Sequence, residues 1–273
     1  MHHIARILYL TLCVSGLVSG AFLLLCCFGI VDPALLFQRE DTTVLQTSAP
    51  AEIPEPEETV PAQVLTLTSG QLDEAEALAS GYDAVVLPMQ NEDGSLNYVS
   101  NLPLAVESGA SWGDPGRNQM LRTLNERADV HTVAEISCLR DQVLIQNDPA
   151  LSLRRVSGSP WRDGAGYGWL DPGEARVESY LIGVCRELAD LGFDEIVLTH
   201  CAYPTEGAVE CLKPLGNKTG TLEQFVRRLQ GAVADWETEV SLRACADVDI
   251  PDNASGQTEA LLAVGARVWE VSE

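Results

Sequence analysis

The chain has 273 residues, 46% of them hydrophobic, and a formal net charge of -23 from 17 Lys+Arg against 40 Asp+Glu. That length and apolar content allow one sizeable domain with its own core, plus accessory segments. The negative charge excludes a phosphate-backbone partner, so no nucleic acid is expected, and it favours a neutral or cationic one.

Residues 7–31 form an almost unbroken apolar run, at about 25 residues long enough to span a bilayer. We expect one transmembrane helix within residues 1–39. An uncleaved anchor is preferred to the alternative, a cleaved signal peptide, because the small-residue stretch Val18-Ser19-Gly20-Ala21 lies in mid-run with apolar residues beyond it, which is a poor signal-peptide site. Arg6 and the free amine precede the run, so a slight positive-inside bias leaves the N-terminus in the cytoplasm. The expected localisation is a single-pass protein of the cell membrane with its C-terminal domain extracytoplasmic. Residues 40–63 then turn to Pro, Glu, Thr and Ala. Such a stretch has too few apolar side chains to fold and forms a disordered linker.

From residue 64 to residue 273 strand-like and helix-like segments alternate. Strands are expected at 64–68, 84–89, 130–136, 196–198, 240–244 and 266–271, with helices near 73–79, 118–128 and 258–264. Asp171-Pro172-Gly173-Glu174 supplies an N-cap, a proline and an acid for a further helix. Its apolar face is Val177, Tyr180, Leu181, Val184, Leu188 and Leu191. Thr221 and Gln224 box the next helix, whose apolar face runs from Leu222 to Trp236. Repeated βα units imply an α/β fold, a parallel sheet with helices packed on it.

The most informative stretch is G-F-D-E-I-V-L-T-H-C-A-Y-P, residues 192–204. The apolar run Ile196-Val197-Leu198 has the character of a parallel strand covered on both faces. The C-terminal end of such a strand carries the site, which puts Thr199, His200 and Tyr203 at the rim.

Trp161, Trp169, Asp171, Pro172, Gly192 to Ile196, Pro204 and Gly207 follow a recognisable pattern. With them the chain resembles a bacterial glycoside hydrolase family with a TIM-barrel, amylase-like catalytic domain, whose motif is W-V-D-P, a helix, and G-F-D-E-I-Q-F-D-Y-V-R-F-P-x-x-G. Residues 84–94 resemble its V-V-I-D-V-K-D-D-x-G, Tyr98-Val99-Ser100 its Y-x-S, and Val133 to Ile136 its I-A-R-I. The resemblance implies a (β/α) barrel-like domain over 64–273. About six βα units are present where relatives have two more, so the barrel is expected to be incomplete. It also implies a carbohydrate partner, a polysaccharide or cell-envelope glycan. Five of the departures from the pattern bear on its chemistry. Thr199 stands in place of the family's strand-end aspartate and Ala202 in place of its arginine. Pro88 and Gln90 replace an Asp and a Lys, and Glu135 replaces an Arg. Glycoside hydrolysis ordinarily needs two carboxyl groups flanking the bond, so the expected domain is a catalytically degenerate pseudoenzyme that binds a glycan. Two alternatives stay open, an active glycosidase with relocated carboxylates and a protein-interaction scaffold with no glycan.

For relocated catalysis the candidates are Glu135 and His200. Glu135 is a strand residue near the mouth whose simpler role is a salt bridge. His200 has a neutral-range pKa but an equally plain packing role. Glu92 and Asp93 belong to an N-E-D-G turn. Asp194 and Glu195 open their strand and suit a structural role at its far end, and Asp247 and Asp249 could stand in an acidic loop after the fifth strand. Substrate binding falls to Thr199, Tyr203 and the aromatic faces of Trp161 and Trp169, with Trp112 as a further platform. Cys201 and Cys211 could bridge the loop after the key strand, against reduced buried thiols. No zinc-type cluster is present, so neither metal nor cofactor is expected.

Overall fold

The structure, a computed structural model, describes residues 63–111, 113–245, 254–263 and the backbone of 268–269. The expected membrane segment, nearly all of the linker, Trp112, Asp247 and Asp249 lie outside the described residues. Among the described residues no helix is long and apolar enough to cross a membrane.

Among the described residues six strands form one sheet in unbroken sequence order, each parallel to its neighbours. They are β1 (Val64–Thr66), β2 (Ala84–Gln90), β3 (His131–Ser137), β4 (Glu195–Thr199), β5 (Glu239–Arg243) and β6 (Val268–Trp269). A doubly wound sheet reverses its strand order to place helices on both faces. This order never reverses, so right-handed crossovers put the helices on one face only, as in the wall of a (β/α) barrel. Among the described residues seven α-helices follow the strands: α1 (Ala75–Leu78), α2 (Pro103–Ser108), α3 (Pro115–Asn125), α4 (Gln142–Asn147), α5 (Ala175–Asp190), α6 (Lys218–Ala232) and α7 (Glu259–Leu262).

The two faces of the sheet are chemically distinct. Val85, Leu87 and Met89 of β2, Ala134 and Ile136 of β3, Ile196 and Leu198 of β4, and Val240 and Leu242 of β5 join the main core with the helices. The alternate residues point inward, where Val86, Val133 and Val197 make a separate small apolar layer.

Both long helices begin differently from the sequence expectation. Asp171 does not cap α5. Its Oδ1 accepts from Gly173 N at 2.9 Å, closing a local turn, and the N-cap is Glu174, without a side-chain cap bond. Helix α6 starts before Thr221, because Asn217 accepts from Gly220 N at 3.0 Å. An asparagine oxygen is as good an N-cap acceptor as a hydroxyl, and it comes first in the chain. The expected apolar faces are nonetheless the buried ones, from Val177 to Leu188 on α5 and Leu222, Phe225 and Leu229 on α6.

The turn after β2 docks onto α4. The Asp93 carbonyl accepts from Gln142 N and Val143 N at 2.8 and 2.9 Å, satisfying the opening N–H groups of that helix. Gly94 (φ +95°) lies so close to the helix cap that a Cβ there would sit 2.0 Å from Asp141 Oδ1. Gly94→Ala therefore combines a left-handed backbone penalty with displacement of a buried cap. It is expected to lower the unfolding free energy by about 2 kcal/mol or more, read from urea denaturation; a loss within experimental error would show that this approach is not constraining.

Candidate functional site

Proceeding from the N-terminal to the C-terminal ends of the strands, the inner face has three levels. At the first, Glu195 is wholly buried, with Ser241 Oγ donating to its Oε1 and His131 Nε2 3.1 Å from its Oε2. Beside it Asp194 Oδ2 accepts from Thr132 N and Oγ1 at 2.7 and 3.0 Å. These acids tie neighbouring strands together. The second level is the valine layer. At the third, a cavity of ≈ 620 Å³ opens, lined by Pro88, Gln90, Glu135, Ser137, Thr199 and Arg243 from the strand ends and by Glu92, Arg140, Asp163, Trp169, His200, Tyr203 and Glu206 from the loops.

Most of the charge in this cavity is paired. Glu135 Oε2 lies 2.6 Å from Arg243 Nη2, although the contact is not aligned as a hydrogen bond, and the two side chains are 24% and 28% exposed. Register explains the meeting: Glu135 pairs with Val197, and Val197 with Ser241, so Arg243 is two residues further along β5 on the same face. Arg140 donates from Nε to Asp163 at 2.9 Å and from Nη1 to Glu92 at 2.8 Å, and its guanidinium lies 4.2 Å from the Tyr167 ring centroid. Asp163 also accepts from Trp169 Nε1, Tyr167 N and Ala165 N at 3.0, 2.9 and 3.0 Å. Burial acts to raise its carboxyl, but these donors and Arg140 together hold it below the usual carboxylate range. Asp163 is thus the knot of the glycine-rich loop, a role that sequence reasoning missed. Its signal was position: an Asp followed by G-A-G-Y-G has the spacing for an Asx turn.

His200 follows Thr199 with φ 50°, the one described non-glycine residue in the left-handed region. Its Nδ1 is 3.2 Å from Ser137 Oγ and 3.4 Å from Thr199 Oγ1. Both hydroxyls already spend their single hydrogen on backbone carbonyls, Ser137 on Arg140 and Thr199 on Ile136, each at 3.0 Å. Nδ1 must therefore carry the ring proton and donate, which leaves Nε2 as an acceptor. Burial lowers the His200 pKa, with Arg140 adding to the effect, so the ring is neutral at pH 7. The Trp169 ring stands edge-on to it with centroids 5.9 Å apart.

The other candidates separate. Thr199 and Tyr203 line the cavity at 8% and 4% exposure. Burial pushes Tyr203 up to about 12, and nearby Asp171 adds to the rise. Trp161 does not line the cavity. It is 0% exposed with its Nε1 donating to Ala208 O at 2.9 Å, and an indole so enclosed has no face left for a sugar. Of the two alternatives for Cys201 and Cys211, a bridge or reduced thiols, the structure has the thiols. Both thiols are free, Cys201 buried and Cys211 half-exposed with its Sγ 3.7 Å from Glu210 Oε1. Cys201 faces the core instead, beside Cys138, whose thiol burial and Cys201 raise well above its usual value. Among the described residues no group of three or more His, Cys, Asp or Glu is placed to hold a metal ion.

Behind the cavity wall lies Asp141, 0% exposed. Its Oδ1 caps α4 by accepting from Leu144 N at 2.8 Å, and its Oδ2 accepts from Gln90 Nε2 at 3.3 Å. Burial pushes its pKa up to about 7, with the Asp93 charge adding to the rise and the backbone N–H groups of α4 opposing it.

A family model described as "Putative glycosyl hydrolase domain" matches residues 73–263. Among solved structures, a hypothetical protein from Ruminiclostridium thermocellum is 25% identical with a TM-score of 0.56, the match covering 66% of this chain and 97% of that one. The PgaB (BpsB) glycoside hydrolase domain from Bordetella bronchiseptica is 16% identical with a TM-score of 0.55, covering 76% of this chain and 73% of that one. The latter likeness is one of fold. No curated protein matches.

Asp141 gives the site a pH signature. Because its folded pKa is raised to about 7 from an unfolded value of about 3.9, its contribution to stability is greatest below the unfolded value and is lost as pH rises toward and through 7. Asp141→Asn keeps the cap acceptor and adds a donor for Gln90 Oε1. It is expected to raise the unfolding free energy by about 1–3 kcal/mol at pH 8 and by much less at pH 5, in urea titrations at both pH values. An equal gain at both would contradict a titrating Asp141.

Proposed function

We propose, from the premise that the chain belongs to the glycosyl hydrolase domain family, that its cavity binds a glycan without cleaving it. We place the domain outside the cell, on an N-terminal anchor formed by the apolar run 7–31, and relate its barrel to the amylase-like TIM-barrel hydrolases. The observation that carries the binding reading is the pairing of Glu135 with Arg243 at 2.6 Å beside a strand end that offers Thr199 in place of a carboxylate. Hydrolysis requires an acid that can give up a proton and a second carboxylate across the bond. Here Glu135 is engaged by a guanidinium, Asp163 is consumed by its loop, and Glu92 is held by Arg140. What the cavity does offer is hydrogen-bonding capacity suited to sugar hydroxyls: the His200 Nε2 acceptor, the rim carboxylate of Glu206, and the edges of Trp169 and Tyr203 beside them. The Bordetella bronchiseptica relative is a glycoside hydrolase domain by its own description, which supports carbohydrate as the class of ligand.

The test is a calorimetric titration with oligosaccharides of envelope and storage polymers, run beside a reducing-end assay. Binding with reducing-end release at background is expected. His200→Asn, which tolerates the left-handed backbone but removes the Nε2 acceptor, is expected to weaken binding about fivefold, the worth of one hydrogen bond. Release of reducing ends that disappears in Glu135→Gln would instead establish an active glycosidase.

A further inference from the structure

Gln90 ends β2 on the face that lines the cavity and is 3% exposed. Its two polar atoms are unequally served. Nε2 donates to Asp141 Oδ2, while Oε1 is buried with no partner. A buried polar atom left in this way lowers stability, and a ligand group that supplies the missing partner recovers the loss.

Which atom is left over depends on Asp141. An ionised carboxylate only accepts, so Gln90 must turn its NH2 toward it and keep its carbonyl oxygen unpartnered. A protonated carboxyl donates. Its hydroxyl then takes the Gln90 carbonyl, and rotation of the terminal amide by half a turn leaves the NH2 unpartnered. The two states have the same shape and opposite hydrogen-bonding polarity.

We propose that Gln90 is a specificity-determining residue of the cavity, its polarity set by the protonation of Asp141: it takes a ligand hydroxyl or N–H when Asp141 is ionised and a ligand carbonyl when Asp141 is neutral. For the class of ligand, this rests on the carbohydrate reading above. The groups around Asp141 favour a switch near neutrality. Asp93 from the preceding turn opposes ionisation, the N–H groups of Leu144 and Val143 from α4 favour it, and burial is the largest influence. From α5, Tyr180 brings a buried hydroxyl with no partner, whose own pKa burial and then Asp141 raise. His200 and Arg140, with its partners Asp163 and Glu92, also face the cavity, so the test must isolate Asp141.

The experiment uses the full chain with its glutamine side chains labelled with nitrogen-15, the Gln90 signals being those lost in Gln90→Met. Their shifts are followed across the neutral range. A single inflection is expected in the native protein and none in Asp141→Asn. In parallel, triacetylchitotriose, which carries acetyl carbonyls, and cellotriose, which has the same linkage without them, are titrated at about pH 6 and pH 8. The preference for the acetylated trimer is expected to rise about fivefold at the lower pH, one hydrogen bond's worth, and to stay constant in Asp141→Asn and Gln90→Met. A flat Gln90 signal, an inflection that persists in Asp141→Asn, or a preference independent of pH would overturn the specificity role while leaving carbohydrate binding intact. Binding of neither trimer would overturn the carbohydrate reading and the specificity role together, even where the amide titrates.

Discussion

Glu195 enters the sheet at the first residue of β4 with no exposure to solvent, and it stays there because Ser241 from β5 and His131 from β3 meet its two oxygens. A bare carboxylate in that position would cost far more than the sheet could recover. The same requirement recurs along the inner face. A barrel wall whose interior carries acids is stable only where each acid finds donors on a neighbouring strand or loop, so the interior is assembled from pairs. Glu195 ties three strands, Glu135 and Arg243 join β3 to β5 across β4, and Arg140 with Asp163 anchors the glycine-rich loop over the mouth. The apolar contribution inside is slight, three valines, and the outer face with its helices supplies the main core.

Pairing has a chemical consequence. An acid–base catalyst needs a carboxyl whose proton is available at working pH and a partner free to act across the bond. Ion pairing holds a carboxylate ionised and occupied. The arrangement that lets acids line this interior therefore also occupies Glu135, Glu92 and Asp163 with guanidinium partners. The group that burial does bring to about 7, Asp141, is sealed behind Gln90, where it acts on the cavity through another side chain.

How much of this was legible in the sequence follows from what each feature depends on. Strand positions 84–89 and 130–136 and the helical faces of α5 and α6 depend on local periodicity, and they appear within a residue or two of expectation. The short helices α2 and α4 carry too few turns for a periodic signal and went unseen. Cap positions shifted for two local reasons: Asn217 offers an acceptor ahead of Thr221, and Asp171 closes its own turn, so that α5 starts later, at Glu174. In the site, Thr199, Tyr203, Glu135 and His200 could be assigned to the cavity from strand ends and loop order alone. Trp161 could not be told from Trp169, since both flank one loop and only packing decides which indole is enclosed. The Glu135–Arg243 pair depends on inter-strand register, which a single sequence does not contain. Asp141 shows only as a cap and reveals its second role when β2 is laid beside it.

The departures from the family pattern have a common physical form. Where the motif that the chain resembles has a lysine, Gln90 offers an amide to Asp141, and burial without a cation raises the proton affinity of that carboxyl. Where that motif has an arginine, Glu135 introduces an acid that Arg243 meets. Where it has an aspartate, Thr199 turns its hydroxyl into the β3 backbone at Ile136 and leaves no acid at the strand end. Each change removes a formal charge or reverses its sign, and each is met locally by a proton, a counter-ion or a backbone carbonyl. Because compensation happens within one or two side chains, the frame G-F-D-E-I and the sheet it belongs to need not change. The fold therefore persists while the charge pattern at its mouth changes.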